Sequence, residues 1–231
     1  MTPAELMASR STAFGMVIFD CDGVLIDSEM LSNRVVAEEV SALGWPMTTD
    51  EATDAFMGTT VDAIETEVRA RVGPLPEGWR ARVMARIVAV MASEVESVPG
   101  AVEALQAVDR MGIPWRIASN SSHPELRAKF QRMDWVDLVA GRVHSHTDVR
   151  IGKPAPDLFL HAAAQQGVDP ADCLVIEDSV AGATAARAAG MACLGLDRHG
   201  DGAALQACGA AVFHDMRELG GLIALARKVA A

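Results

Sequence analysis

Asp20 and Asp22 stand two residues apart at the end of the apolar run Met16-Val17-Ile18-Phe19. Three further polar sites recur in comparable places. Ser119-Asn120 ends Trp115-Arg116-Ile117-Ala118, Lys153 lies in Gly152-Lys153-Pro154-Ala155-Pro156, and Glu177-Asp178 ends Leu174-Val175-Ile176. Apolar residues running up to a carboxylate read as a buried parallel strand whose carboxyl end opens into a crevice, where open α/β sheets bind ligands. Asp20, Asp22 and Asp178 gathered there could not all stay ionised without a compensating charge. A hard divalent cation supplies it, and Mg2+ suits oxygen ligands while leaving places for water and a phosphate oxygen. The Ser119 hydroxyl, nearby backbone N–H groups and the Lys153 ammonium would then be donors for an anion. Cation, donors and a carboxylate nucleophile together describe phosphoryl transfer, in which catalysis is mostly positioning and charge stabilisation.

Such a reaction needs two acids in different roles: an attacking carboxylate must be ionised, while a general acid must carry a proton to the leaving alkoxide. Metal contact would keep Asp20 ionised. Asp22 could swing toward the leaving group while its backbone carbonyl binds the metal, then return as base for the water that opens an aspartyl-phosphate.

The elements that must hold these groups follow from periodicity. Short apolar runs at 14–20, 113–119, 138–143, 174–178, 192–196 and 211–213 read as strands, and helical patterns fall at 101–111, 124–133, 156–166, 180–189 and 216–229. Pro124 and Pro156 suit first helical turns, and Gly112, Gly167 and Gly190 suit helix ends. The alternation predicts an α/β fold, a Rossmann-like doubly wound parallel sheet. The interval 30–97 breaks the rhythm. Trp79, Val83, Ile87, Val90 and Glu94 recur at helical spacing with Met84 and Met91 widening the apolar face, and Pro99-Gly100 restarts the α/β pattern. The expected organisation is a core of 1–29 and 98–231 with a helical insert at 30–97. Residues 1–13 read as a frayed lead-in.

With 231 residues, half of them hydrophobic, the chain can build a large core. Its formal charge of −11, from 20 Lys and Arg against 31 Asp and Glu, argues against a nucleic-acid surface. A small anionic substrate remains compatible, because a bound cation can reverse the local field. Cys21, Cys173, Cys193 and Cys208 are far apart with no CxxC pair, which points to reduced thiols and a cytoplasmic protein. No apolar stretch approaches the ~20 residues that cross a bilayer, so no membrane partner is expected.

Taken together, four blocks resemble the haloacid dehalogenase-like phosphohydrolases: Phe19-Asp20-Cys21-Asp22-Gly23-Val24-Leu25-Ile26-Asp27-Ser28-Glu29, Ala118-Ser119-Asn120, Gly152-Lys153-Pro154-Ala155-Pro156-Asp157 and Ile176-Glu177-Asp178-Ser179-Val180-Ala181-Gly182. The resemblance implies that Asp20 is the nucleophile and Asp22 the acid and base. Asp178 would complete the magnesium site, with Glu177 orienting a metal-bound water. Ser119, Lys153 and the amides near Cys21, Asp22 and Asn120 would hold the phosphoryl group. It also implies that the insert is a cap closing over the site, hinged near 28–31 and 95–100, with Gly58, Thr59 and Thr60 facing the substrate.

Within that family the reaction can be narrowed. Phosphonoacetaldehyde hydrolase-like members use a cap lysine, but the only lysines here are Lys129, Lys153 and Lys228. Haloacid dehalogenases lack the metal constellation and second acid. β-Phosphoglucomutase-like members carry a histidine twelve residues after the nucleophile and an arginine forty-one after it, positions held here by Ser32 and Val61; Arg34 or Arg69 could substitute. The expected activity is a Mg2+-dependent phosphatase for a small sugar phosphate or sugar-acid phosphate, such as 6-phosphogluconate. The alternatives are a mutase of that type, or a non-catalytic binding protein.

Several conspicuous residues have plainer readings. Asp-x-Asp alone suits a turn or helix cap, Ser119-Asn120 an N-cap, Lys153 a solvated charge and Glu177 a hydrogen-bond partner. His144 and His146 read as polar positions rather than a metal pair, and Cys21 as a space-filler. Trp45, Trp79, Trp115 and Trp135 read as packing. Arg69, Arg71, Arg80, Arg82 and Arg86 read as a solvated helix face from which one member could reach substrate.

Overall fold

The computed structural model describes residues 1–9, 12–56, 59, 61–198 and 200–229. Its strands are β1 (Met16–Phe19), β2 (Ile26–Asp27), β3 (Glu96–Ser97), β4 (Trp115–Ser119), β5 (Val143–Ser145), β6 (Cys173–Glu177), β7 (Ala192–Leu196) and β8 (Ala211–Phe213). Six of them form one parallel sheet in the order β5-β4-β1-β6-β7-β8, while β2 and β3 make a separate antiparallel pair. Apolar runs suit this sheet because both faces are covered. Val17, Phe19, Leu174 and Ile176 pack into one core, and Met16, Ile18, Cys173 and Val175 into the other. The strand order reverses direction between β1 and β6, and crevices for ligands open at the carboxyl ends of strands at such a switch point.

The helices are α1 (Pro3–Ala8), α2 (Glu29–Ser41), α3 (Thr49–Phe56), α4 (Val61–Val72), α5 (Trp79–Glu94), α6 (Ala101–Arg110), α7 (His123–Arg132), α8 (Val136–Val139), α9 (Asp157–Gln166), α10 (Val180–Ala188), α11 (Ala203–Ala207) and α12 (Leu219–Val229). Helices α2 to α5 occupy the interval that broke the sequence rhythm. Trp79, Val83, Ile87 and Met91 are the buried stripe of α5, which packs on α2 and on α7. Short β2 and β3, absent from the sequence reading, pair Ile26 with Ser97 and Asp27 with Glu96. The chain therefore enters and leaves the helical segment through one hydrogen-bonded stem.

Three expectations need correction. The run 138–143 is not a strand: Leu138 and Val139 belong to α8, Gly141 turns at φ +71°, and the strand begins only at Val143. Short apolar runs do not distinguish one helical turn from a strand, and here pairing with β4 decides. Nor is the lead-in frayed, since 3–8 form α1 behind a reciprocal cap. Glu5 N–H donates to Thr2 Oγ1 (3.2 Å), and Thr2 N–H donates to Glu5 Oε2 (2.7 Å). Leu6 and Met7 are buried, and α1 packs against α12. The final helix is also shorter than expected, because Met216–Glu218 is a 3-10 turn.

Met7→Ala deletes a side chain with 0% exposure and should lower stability by about 2–5 kcal/mol, read from the denaturant midpoint. An unchanged midpoint would mean that α1 is not docked in solution.

Candidate active site

Four strand ends and loops deliver the candidate groups to one crevice. Asp20 extends β1, its N–H donating to the Ile176 carbonyl at 2.9 Å, so it lies beside the end of β6. The chain then folds back, with the Cys21 carbonyl accepting from Leu25 and Ile26 N–H, both at 2.9 Å. Gly23 makes this turn possible. Its φ is +74°, and a Cβ there would lie 1.7 Å from Asp178 Oδ2.

Glu177, at the end of β6, is completely buried. Its Oε2 accepts from Asp178 N–H (2.9 Å), Ser179 N–H (2.8 Å) and Ser179 Oγ (2.9 Å) over the first turn of α10. Gly182 leaves room for this, as a Cβ there would meet Glu177 Oε1 at 1.7 Å. Lys153 bridges the two strands: Nζ donates to Asp20 Oδ1 at 2.6 Å and Glu177 Oε1 at 2.7 Å, and lies 4.7 Å from the centre of the Phe159 ring. Asn120 brackets the Lys153 backbone, its Oδ1 accepting from N–H (2.9 Å) and its Nδ2 donating to the carbonyl (3.0 Å). The Asn120 side chain thus positions Lys153.

A second polar cluster surrounds Asp22. Lys129 and Ser28 donate to Oδ1, while Ser119 Oγ (3.1 Å) and Ser121 Oγ (2.9 Å) donate to Oδ2. Lys129 also donates to Glu125 Oε1 (2.6 Å) and Ser121 Oγ (2.9 Å). Sequence reasoning passed over Ser121, Glu125 and Lys129. Their spacing, 121-125-129, was the available signal, but a Glu-Lys pair four apart ordinarily marks a solvated helix face. Here that face is turned inward. Cys21 is buried, and burial followed by the Asp22 charge pushes its thiol well above the ordinary range, so only its backbone suits the site.

The two aspartates respond oppositely to their surroundings. Burial, reinforced by Glu177 and Asp22, raises Asp20 to about 7 against the pull of Lys153. Burial also opposes ionisation of Asp22, but the Lys129 charge and the hydrogen bonds from Lys129, Ser28 and Ser121 outweigh it and lower the pKa. Asp178 is pushed well up by burial, then by Glu177, Glu29 and Asp20. Its carboxylate makes no hydrogen bond or ion pair with a described side chain. One carboxylate oxygen from each of Asp20, Glu177 and Asp178 lies within 4.8 Å of the others. A hard oxygen-binding cation fits this donor set: it would relieve the repulsion that Lys153 leaves uncompensated.

These groups floor a cleft of about 210 Å³, roofed by Ser32, Phe56, Val61, Ile64 and Met84 among others from the helical insert. Gly58 and Thr60 lie outside the described residues; Thr59 lines the cleft, its Oγ1 donating to the Phe56 carbonyl at 2.7 Å. Ser32 and Val61, the positions of the mutase histidine and arginine, do face this space. Their possible substitutes do not, since Arg34 pairs with Glu94 (2.9 Å) and Arg69 with Glu65 (2.7 Å). Of the arginine set only Arg80 lines the cleft, paired there with Asp62 at 2.7 Å. No tryptophan lines it. His144 turns away to His161 and Asp148, with Arg116 Nη1 at 3.2 Å from its Nε2. Burial and then Arg116 lower its pKa to about 4. His146 lines the cleft, with a buried Nδ1 that lacks a partner.

Residues 15–190 match the family model described as haloacid dehalogenase-like hydrolase. The chain belongs to the haloacid dehalogenase-like hydrolases. Hexitol phosphatase B of Escherichia coli K12 is 31% identical over 196 residues, 82% of this chain and 83% of that protein. The 6-phosphogluconate phosphatase of the same strain is 28% identical, covering 76% and 79%. An Arabidopsis thaliana bifunctional riboflavin kinase/FMN phosphatase is 32% identical over 75% of this chain, which spans only 46% of that protein. A conserved haloacid dehalogenase-like protein from Agrobacterium tumefaciens superposes with a TM-score of 0.78 at 32% identity, covering 92% of this chain and 98% of that one. The hydrolase is accordingly a phosphatase-type enzyme with the α/β fold of its family.

Gly23→Ala in the hydrolase would drive a methyl group into Asp178 and impose an unfavourable φ, so activity should fall at least about tenfold with the fold retained by circular dichroism. Wild-type activity would contradict this packing.

Stability should respond to pH in a defined direction. Asp20 has a folded pKa above its unfolded one, so its contribution is complete below about pH 4 and is lost as pH rises through about 7, and Asp178, also pushed up, acts in the same direction. In chelator, the melting temperature should decline across that window, and Mg2+ should raise it more at pH 7.5 than at pH 5. An equal Mg2+ effect at both values would count against cation binding by this cluster.

Proposed function

We propose that the hydrolase is a Mg2+-dependent phosphatase of a small phosphorylated metabolite, a sugar phosphate or sugar-acid phosphate, working through an aspartyl-phosphate on Asp20. The observation that carries this reading is the convergence of Asp20, Glu177 and Asp178 around Lys153 at the β1/β6 switch point, with Asp22 held separately two residues on. A carboxylate nucleophile, a separate acid and an ammonium for a phosphate oxygen are the parts that the reaction needs.

In this mechanism Asp20 attacks phosphorus, and Lys153 helps neutralise the phosphoryl oxygens. Asp20, Asp178 and the Asp22 backbone carbonyl would hold Mg2+, with Glu177 beside them anchoring Lys153 and a metal-bound water. Mg2+ would supply charge neutralisation of the phosphoryl group. Asp22, which Lys129, Ser28 and Ser121 hold ionised, would take up the proton that a monoanionic phosphate ester brings, pass it to the leaving oxygen, and then accept a proton from the water that opens the aspartyl-phosphate. The Ser119 hydroxyl, which donates to Asp22, would turn to the phosphate with the amides around Cys21 and Asn120.

We assign the helical segment 30–97 as a cap over a core of 1–29 and 98–231, moving on the β2/β3 stem. The cleft-lining positions of that segment and its junction at the stem support this. Closing such a cap excludes water and adds substrate contacts. The polyol and sugar-acid substrates in the relatives' names support the substrate class. A mutase must bind a second phosphate, whereas the one arginine among the described cleft residues is already paired with Asp62. Among described residues no helix is long and apolar enough to cross a membrane. No disulfide joins Cys21, Cys173, Cys193 or Cys208, which supports a cytoplasmic setting.

Phosphate release should be assayed over sugar phosphates, phosphoglycolate, nucleotides and pyrophosphate, with and without Mg2+. Release from a sugar phosphate only with Mg2+ is expected, whereas isomer formation without net phosphate would support the mutase. Asp20→Asn should abolish turnover and Asp22→Asn should reduce it at least about 10²-fold. Near-normal activity in either variant would remove the role given to that residue.

A further inference from the structure

Two of the three lysines in the chain are buried at this site, and the reaction just described uses only Lys153. Lys129 has 0% exposure and does not line the cleft, so it cannot meet the substrate. Its ammonium has three partners: Asp22 Oδ1, Glu125 Oε1 at 2.6 Å and Ser121 Oγ at 2.9 Å. Ser121 Oγ lies 2.9 Å from both Asp22 Oδ2 and Glu125 Oε1 and can donate its single proton to either, which closes a network around the Asp22 carboxylate.

Stability alone is a weak reason for such a network, because an apolar residue of similar volume often replaces a buried ion pair without loss. What the network does is fix a direction. Lys129 and Glu125 sit on α7 in the core, whereas Ser28, the other donor to Asp22 Oδ1, sits where the stem enters the insert. A core strut and a stem strut therefore meet on the same oxygen of Asp22. If the stem moves, Ser28 moves with it, and the contacts from α7 keep the carboxylate oriented.

We propose that Lys129 is a positioning residue which, with Ser121 and Glu125, orients Asp22 for proton transfer to the leaving oxygen. This rests on the reading of Asp22 as the acid and base. It separates Lys129 from Lys153 by function: one directs an acid, the other meets the phosphoryl group.

Leaving-group dependence tests this, because an alkoxide needs the acid's proton and p-nitrophenolate does not. kcat/KM should be measured for a sugar phosphate that the enzyme hydrolyses and for p-nitrophenyl phosphate. Lys129→Met should lose about 10²-fold on the sugar phosphate and less than about tenfold on the aryl ester, with Asp22→Asn showing the same contrast. Lys129→Met leaves Glu125 buried without its cation, so Lys129→Met/Glu125→Leu provides a second variant in which no unpaired buried charge is added to the helix. Ser121→Ala, which removes one strut and no charge, should shift the same ratio severalfold. Equal losses on both esters, in variants that melt like the parent, would overturn the positioning role while Asp22→Asn still discriminates. If Asp22→Asn itself fails to discriminate, the reading of Asp22 fails, and the proposal with it.

Discussion

Four carboxylates, those of Asp20, Asp22, Glu177 and Asp178, crowd the ends of two adjacent strands, and their mutual repulsion is the constraint on which the site depends. The chain meets it with two buried ammonium groups in separate places. Lys153 joins Asp20 to Glu177 across the β1/β6 boundary, while Lys129 holds Asp22 from α7. Burial makes each pairing strong, yet leaves the Asp178 carboxylate without a partner among the described side chains. The division keeps Asp22 electrostatically distinct from Asp20, the condition under which two neighbouring carboxylates can take different tasks.

The backbone around these groups is shaped by the same crowding. Gly23 and Gly182 are the positions where a methyl group would run into Asp178 and Glu177, so both glycines are needed for the carboxylates to pack closely. Asn120 ties the Lys153 loop to the end of β4, and the β2/β3 stem begins four residues after Asp22. Ser28 connects that stem to the Asp22 carboxylate. The helical segment is consequently attached beside the acid, and motion at its base would be felt there first.

Much of this was legible in the sequence because the parallel strands are buried on both faces. Unbroken apolar runs ending in acids at Phe19-Asp20 and Ile176-Glu177 marked both elements and site in one signal. That signal fails where burial is partial. The 138–143 run was mistaken because one helical turn and a short strand share its composition, and α1 was missed because its capping box precedes too few apolar residues to show a period. β2 and β3 are each two residues long, below any periodicity. Lys129 was hidden for a different reason: local spacing gives its i, i+4 partner Glu125, but only the tertiary fold brings Asp22, more than a hundred residues away in sequence, onto the same ammonium.

In the proposed reaction Asp20 carries the phosphoryl group between substrate and water. This role is tested most directly by mixing the Mg2+-loaded enzyme with a hydrolysed sugar phosphate, quenching in acid within one turnover, and locating the acyl phosphate by peptide mass spectrometry. Substrate-dependent labelling at residue 20, absent from Asp20→Asn, is expected. Phosphate release without a phosphorylated Asp20 at any quench time, or a label on Asp22, would contradict it.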